Sequence, residues 1–202
     1  MVPKGNAPRL DGNLDPEEWA DARRLNTSGG GVILVKHDGA SMFIGIRART
    51  QGSVSVAVAH DYKKVSLLHA SASLATVVFD RRGKTWRARS GFKWECRDAG
   101  RSPRARKGWL SYHRRNRWVG TLVSMGAKNE TEFQLSRKLL TKARISVVHC
   151  PFNQAEKMFW FPPKMDDSSR SKVLLDGRIP AGVNFAPECW SGLKLVEKGV
   201  KK

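Results

Sequence analysis

The stretch MFIGIRARTQGSVSVAVA, residues 42–59, decides how this chain folds. Met42, Ile44, Ile46 and Ala48 alternate with Phe43, Gly45, Arg47 and Arg49. After a break containing Gly52, Val54, Val56 and Val58 alternate with Ser53, Ser55 and Ala57. Side chains of a strand point to opposite faces in turn, so a period of two marks strands with one buried face. The pattern continues outward. Residues 73–79, SLATVVF, are apolar almost without interruption, as in a central strand. Trp86, Ala88 and Ser90 alternate with Arg87 and Arg89, and Phe92, Trp94 and Cys96 with Lys93, Glu95 and Arg97. Phe133 and Leu135, then 144–150, 157–161 and 193–196, complete the strand-sized runs, which Gly, Pro, Asp and Ser separate. The pattern predicts an all-β fold: a two-sheet antiparallel β-sandwich.

Only 15–25 and 136–142 read as helical. Asp15 is placed to cap the first, Pro16 suits its first position, Glu18 can reach back to the cap, and Leu14 can staple onto Trp19. The five carboxylates between Asp11 and Asp21 thus have a local reason, at the positive end of a short N-terminal helix. Residues 1–202 are expected to form one domain, with a basic insertion loop at about 98–117, of which 98–108 (DAGRSPRARKG) reads as an exposed, mobile loop.

The chain has 202 residues and a net charge of +19, with 40% hydrophobic residues and seven Trp, enough for a substantial core. No apolar run reaches the ~20 residues of a membrane span. MVPKGNAPRL lacks a signal-peptide apolar core, which predicts a cytoplasmic protein on the chain as given, or an extracellular one whose signal has been removed. Cys96, Cys150 and Cys189 show no metal spacing; buried free thiols are the expectation, with one bridge plus one thiol as the alternative. No nucleophile elbow, HExxH motif, phosphate loop or dinucleotide fingerprint occurs, so the chain is expected not to be an enzyme and to need no cofactor.

Residues 81–117 hold fourteen Lys or Arg against Glu95 and Asp98, a net +12. Such density favours a polyanion: nucleic acid, an anionic polysaccharide or anionic lipid. The expected polyanion contacts are Arg81, Arg82, Arg87, Arg89, Arg104, Arg106, Lys107, Arg114, Arg115 and Arg117. Trp86 and Trp94 have core parity, and His69 in LLHASASLA reads as a satisfied buried histidine. Asp166, Asp167, Ser168, Ser169 and Asp176 offer hard oxygen atoms without a calcium-loop spacing, so a solvated turn is expected.

LDGNLDPEEWADA, VKHDGASMFIGIRA, ETEFQLSRKLL and FAPECWSGLKLVEK, in that order, resemble family 9 carbohydrate-binding modules and DOMON-like domains. The resemblance implies a two-sheet sandwich and a saccharide ligand held by loop aromatics. The stretches matching that family's binding loops offer His60, Tyr62, Asn184 and Phe185, to which Trp109 is added as the aromatic read as most exposed; an acidic glycan would suit the charge. The DOMON-like side of the resemblance raises haem, with Met158 and His149 as conceivable axial ligands. The sharper functional expectations are therefore a saccharide module, a nucleic-acid or other polyanion binder, and a haem redox module.

Overall fold

Alternating residues become paired strands because each can bury its apolar parity only against a second layer. The computed structural model describes residues 1–97, 102–123, 128–153 and 155–196. The strands are β1 (Arg23–Leu25), β2 (Val32–His37), β3 (Ser41–Arg47), β4 (Gly52–His60), β5 (Lys64–Ala70), β6 (Leu74–Arg82), β7 (Thr85–Ala88), β8 (Lys93–Glu95), β9 (Trp118–Gly120), β10 (Glu130–Ser136), β11 (Arg144–Pro151), β12 (Phe159–Phe161) and β13 (Ser191–Gly192). The helices are α1 (Pro103–Asn116) and the single turn α2 (Lys172–Leu175). One sheet runs β1-β2-β3-β10-β9; the other runs β12-β11-β4-β5-β6-β7, with β13 on β11 and β8 on β6. All strand pairs are antiparallel. The all-β sandwich is what the period of two requires.

The parities separate as predicted. Ile33, Val35, Met42, Ile44, Ile46, Val54, Val56, Val58, Phe133, Leu135, Ile145 and Val147 fill the space between the sheets. The opposite parity is also apolar in places, and both outer faces are covered. On the second sheet, Ala57, Val65, Leu67, Val77, Phe79 and Trp86 lie beneath Met165, Leu174, Leu175, Phe185 and Trp190 of the C-terminal segment. Asp167 fastens that segment: its carboxylate accepts from Trp190 Nε1 at 2.7 Å, Ala186 N at 2.8 Å and Ser169 N at 2.8 Å. The predicted solvated turn is thus a tie. The three cysteines are free thiols, with Cys150 buried, Cys96 half-buried and Cys189 exposed.

On the first sheet, Leu14 and Trp19 lie against Phe43 of β3. The acidic stretch is a turn over residues 16–21 rather than a helix to residue 25, because the chain enters β1 at Arg23. Asp15 caps it as expected, accepting from Glu17 N at 2.8 Å. Glu18 does not close a capping box; its carboxylate accepts from Arg9 N. Trp19 therefore seals a sheet face, not the end of the sandwich. Gly45 makes this possible: a Cβ there would stand 2.6 Å from Leu14 Cδ2 and 3.0 Å from Trp19. Gly45→Val is expected to cost about 1–3 kcal/mol by overpacking, read as a lowered denaturant midpoint with unchanged slope.

Two ionisable groups are sealed beneath the same turn. Lys36 is fully buried, its ammonium donating to the Glu18 carbonyl and to Asp21 Oδ1 at 2.9 Å, 5.3 Å from the Trp19 ring centre. Glu132 is also fully buried and accepts from the amides of Asp11 at 2.9 Å and Gly12 at 2.8 Å. Glu130 accepts from Leu14 N at 2.7 Å and from Arg47 Nε at 2.5 Å. The carboxylates of β10 thus hold the N-terminal strap by its backbone.

A cationic margin on the second sheet

The turn Gly83-Lys84 joins β6 to β7 with Gly83 at φ +61°, and sets Arg82 opposite Thr85. Two residues further along, Asp80 faces Arg87. Across the next strands Asp80 faces Lys64, and Lys64 faces His60. His60, Lys64, Asp80 and Arg87 thus form one lateral row over four strands, about 14 Å across at 4.8 Å per strand. Directly opposed residues share a face. This row lies on the side of the inter-sheet core, at its margin, since Val58 and Leu68 of the same parity are core residues.

Beside the row is an open groove of about 550 Å³ lined by Asp80, Arg82, Thr85, Arg87, Ala88 and Arg89. Arg89 grips Asp80 through both guanidinium edges, Nε to Oδ2 at 2.6 Å and Nη2 to Oδ1 at 2.7 Å. The hydrogen bond from Arg89 holds the Asp80 carboxyl below its ordinary pKa, with the charges of Lys64 and Arg82 adding to it. Arg82 and Arg87 have no carboxylate partner among the described residues and are exposed. Arg81 points to the other face, its guanidinium 5.8 Å from the Trp86 ring centre.

The basic segment beyond is ordered, which corrects the expectation of a loop over 98–117. Residues 98–101 lie outside the described residues; Pro103–Asn116 is helix α1. Ser102 caps it, accepting from Ala105 N at 3.1 Å, and Pro103 occupies the first turn. The sequence reading missed this Ser-Pro helix start because the surrounding arginines and glycine resemble a solvated loop. Tyr112 and Trp118 anchor the helix. Trp118 Nε1 donates to Thr76 Oγ1 at 2.9 Å, the Tyr112 hydroxyl meets the same oxygen at 3.1 Å, and the Trp118 ring stacks on Phe133. Arg115 is tied to Glu95 and to Ser111 Oγ. Arg104, Arg106, Lys107, Arg114 and Arg117 are exposed.

The expected saccharide contacts do not converge. Phe185 is buried, packed edge-on against Phe79 and Trp86, so it cannot stack on a ligand. Asn184 is exposed on the C-terminal segment, where its backbone N–H donates to Ser168 Oγ. Tyr62 is exposed at the β4–β5 turn with φ +53°, and the Arg144 guanidinium lies 5.6 Å from its ring centre. His60 neighbours it, and burial, then the charge of Lys64, lowers its pKa. Trp109 is half-buried on α1 against the inter-sheet core. Its helix meets β6 at Thr76, whereas the Tyr62 turn meets β6 at Asp80, so the two aromatics serve different stretches of that strand.

The haem ligands do not fit either. His149 stacks on Phe159 at 4.9 Å in the inter-sheet core, and Met158 packs with the outer-face cluster, on the opposite side of the second sheet. Burial also pushes the His149 pKa down to about 4. Asp166, Asp167 and Asp176 form no metal-binding cluster with other His, Cys, Asp or Glu residues among the described residues. His69 is buried and satisfied, Nδ1 lying 3.0 Å from Ser55 Oγ. Among the described residues no helix is long and apolar enough to cross a membrane.

Asp80 and Lys64 were not singled out from the sequence. The signal for them was the two-residue turn, from which the register can be counted outward. Comparison with protein-family models, with curated proteins and with solved structures finds no match to this chain.

Proposed function

We propose that this chain is a non-catalytic module that binds anionic polymers along the β6–β7 margin and helix α1. One observation carries the reading: a groove with three arginines and a single carboxylate, of which Arg82 and Arg87 present free guanidinium forks. A fork matches the paired oxygens of phosphate, sulfate or carboxylate, and several forks in line suit a repeating anion. The resemblance to family 9 carbohydrate-binding modules and DOMON-like domains belongs to the same proposal as a distant kinship of sandwich, resting on the sequence motifs. Uncharged saccharide is the weaker reading, supported by exposed Tyr62 next to His60.

Asp80 competes with a polyanion for Arg89. Asp80→Asn is expected to raise affinity several-fold for heparin or an oligonucleotide at 100 mM salt, because a third fork becomes free. Arg82→Ser with Arg87→Ser is expected to weaken binding and to reduce the slope of log K against log salt by about 2. Anisotropy titrations across salt measure both. Binding of a neutral oligosaccharide with no salt dependence, and none of heparin or nucleic acid, would overturn the proposal.

A further inference from the structure

The first turn of helix α1 carries charge that opposes the helix dipole, whereas Arg114 and Arg115 in its last turn suit it. The helix has no acidic residue, and its first turn holds Arg104 and Arg106 at the positive end of the helix dipole. Arg104 and Lys107, and Arg114 and Arg117, are like charges three apart. Only Arg115 has a carboxylate partner among the described residues. The Ser102 cap, Pro103 and the anchors Tyr112 and Trp118 hold the helix against the repulsion among its cations.

The placement of the cations is ordered. At about 100° per residue, the inward face is Ala105, Trp109, Tyr112, His113 and Asn116, which matches their burial. The outward face presents Lys107, Leu110, Ser111 and Arg114. Arg106 lies on one flank, and Arg104 on the other with the tied Arg115. Leu110 is 60% exposed midway along this face, and Gly108 lies on the flank of Arg104 and Arg115. The outward face is therefore uncharged in its centre, at Leu110 and Ser111, cationic towards its ends at Lys107 and Arg114, and bordered by arginines.

We infer that α1 enters the major groove of duplex DNA. This inference rests on the anionic-polymer reading above. Fourteen residues make a rod about 21 Å long and 10–12 Å wide, and the groove of B-form DNA is about 12 Å wide. The flanking arginines face the two phosphate walls, and Leu110 and Ser111 meet base edges, where the thymine methyl offers an apolar contact. Arg82 of β6 and Arg87 of β7 lie further along the second sheet, about 20 Å from the α1 anchor at Thr76, and take up phosphates beyond the groove. A linear anionic glycan has no groove to receive the outward face and would meet only one flank. Duplex RNA is disfavoured because its major groove is too deep and narrow for side chains to read.

The test uses the full chain with a 20-base-pair mixed-sequence DNA duplex, a single strand of the same length, and heparin, by anisotropy between 50 and 200 mM salt. The duplex is expected to bind at least tenfold tighter than the single strand and to show protection of guanine N7 from methylation. Arg104→Ser, Lys107→Ser and Arg114→Ser together should lower the salt slope by about 3. Leu110→Glu, at an exposed position on the outward face, should abolish N7 protection while the melting temperature changes little. Heparin binding without duplex preference, or full N7 protection in both variants, would overturn the inference and leave the anionic-polymer reading standing. Failure to bind either polymer would overturn both.

Discussion

Replacing Trp19 by alanine is expected to destabilise the protein by about 3–5 kcal/mol, the range for removing a large buried aromatic. Trp19 is only 4% exposed and packs with Leu14, Phe43 and Gly45 on the outer face of the first sheet. Its loss leaves a cavity over the one position in β3 where no side chain can fill in. It also removes the ring beside Lys36, whose ammonium is otherwise sealed from water by the same turn. For a chain of this length the melting temperature should fall by about 10 °C or more. Trp19→Phe should recover more than half the loss, since Phe still covers Gly45. An unchanged melting temperature for the alanine variant would mean that the strap is not part of the cooperative fold.

The second large effect is a pH dependence that runs opposite to that of an ordinary ion-paired carboxylate. Burial raises the Glu132 pKa to about 7, against the lowering effect of the Gly12 and Asp11 amides. The Trp19 indole N–H also lowers it, yet that group and Glu132 Oε1 have no hydrogen-bond partner of normal geometry. Unfolded, the group titrates near 4.5. The folded state therefore binds the proton more tightly. The contribution from Glu132 is fully present below pH 4.5 and is lost as pH rises through 7, amounting to about 3 kcal/mol. Asp80, whose carboxyl is held low by the hydrogen bond from Arg89, follows the opposite rule, so the test is a difference: Glu132→Gln removes the titration and should gain stability relative to wild type between pH 4.5 and 8. Parallel stability curves for the two proteins would show that Glu132 ionises freely in the folded state.

Both predictions concern residues whose importance was partly legible in the chain. Leu14, Asp15, Pro16 and Trp19 announced a capped turn, because capping and stapling use neighbours in sequence. Where that turn would lie was not legible. Its docking face is set by Gly45, Lys36 and Glu132, which come from three different strands, and local chemistry carries no information about such distant neighbours. Phe185 illustrates the same gap. An aromatic between Asn184 and Ala186 in a Pro-bearing loop looks available to a ligand, but the C-terminal segment turns back onto Trp86 and Phe79 and buries it.

The sequence by itself determined the two-sheet sandwich, since a period of two over so many runs can be buried only between two layers. It also determined that one segment would be strongly cationic, since charge is a property of composition. The tertiary structure alone decided where that charge acts. Register across four strands sets His60, Lys64, Asp80 and Arg87 in one row. The Asp80 pair withdraws Arg89, and Tyr112 with Trp118 orders the remaining cations on one helix. Pairing across strands depends on which segments meet, and a row of charges becomes a surface only once they have met.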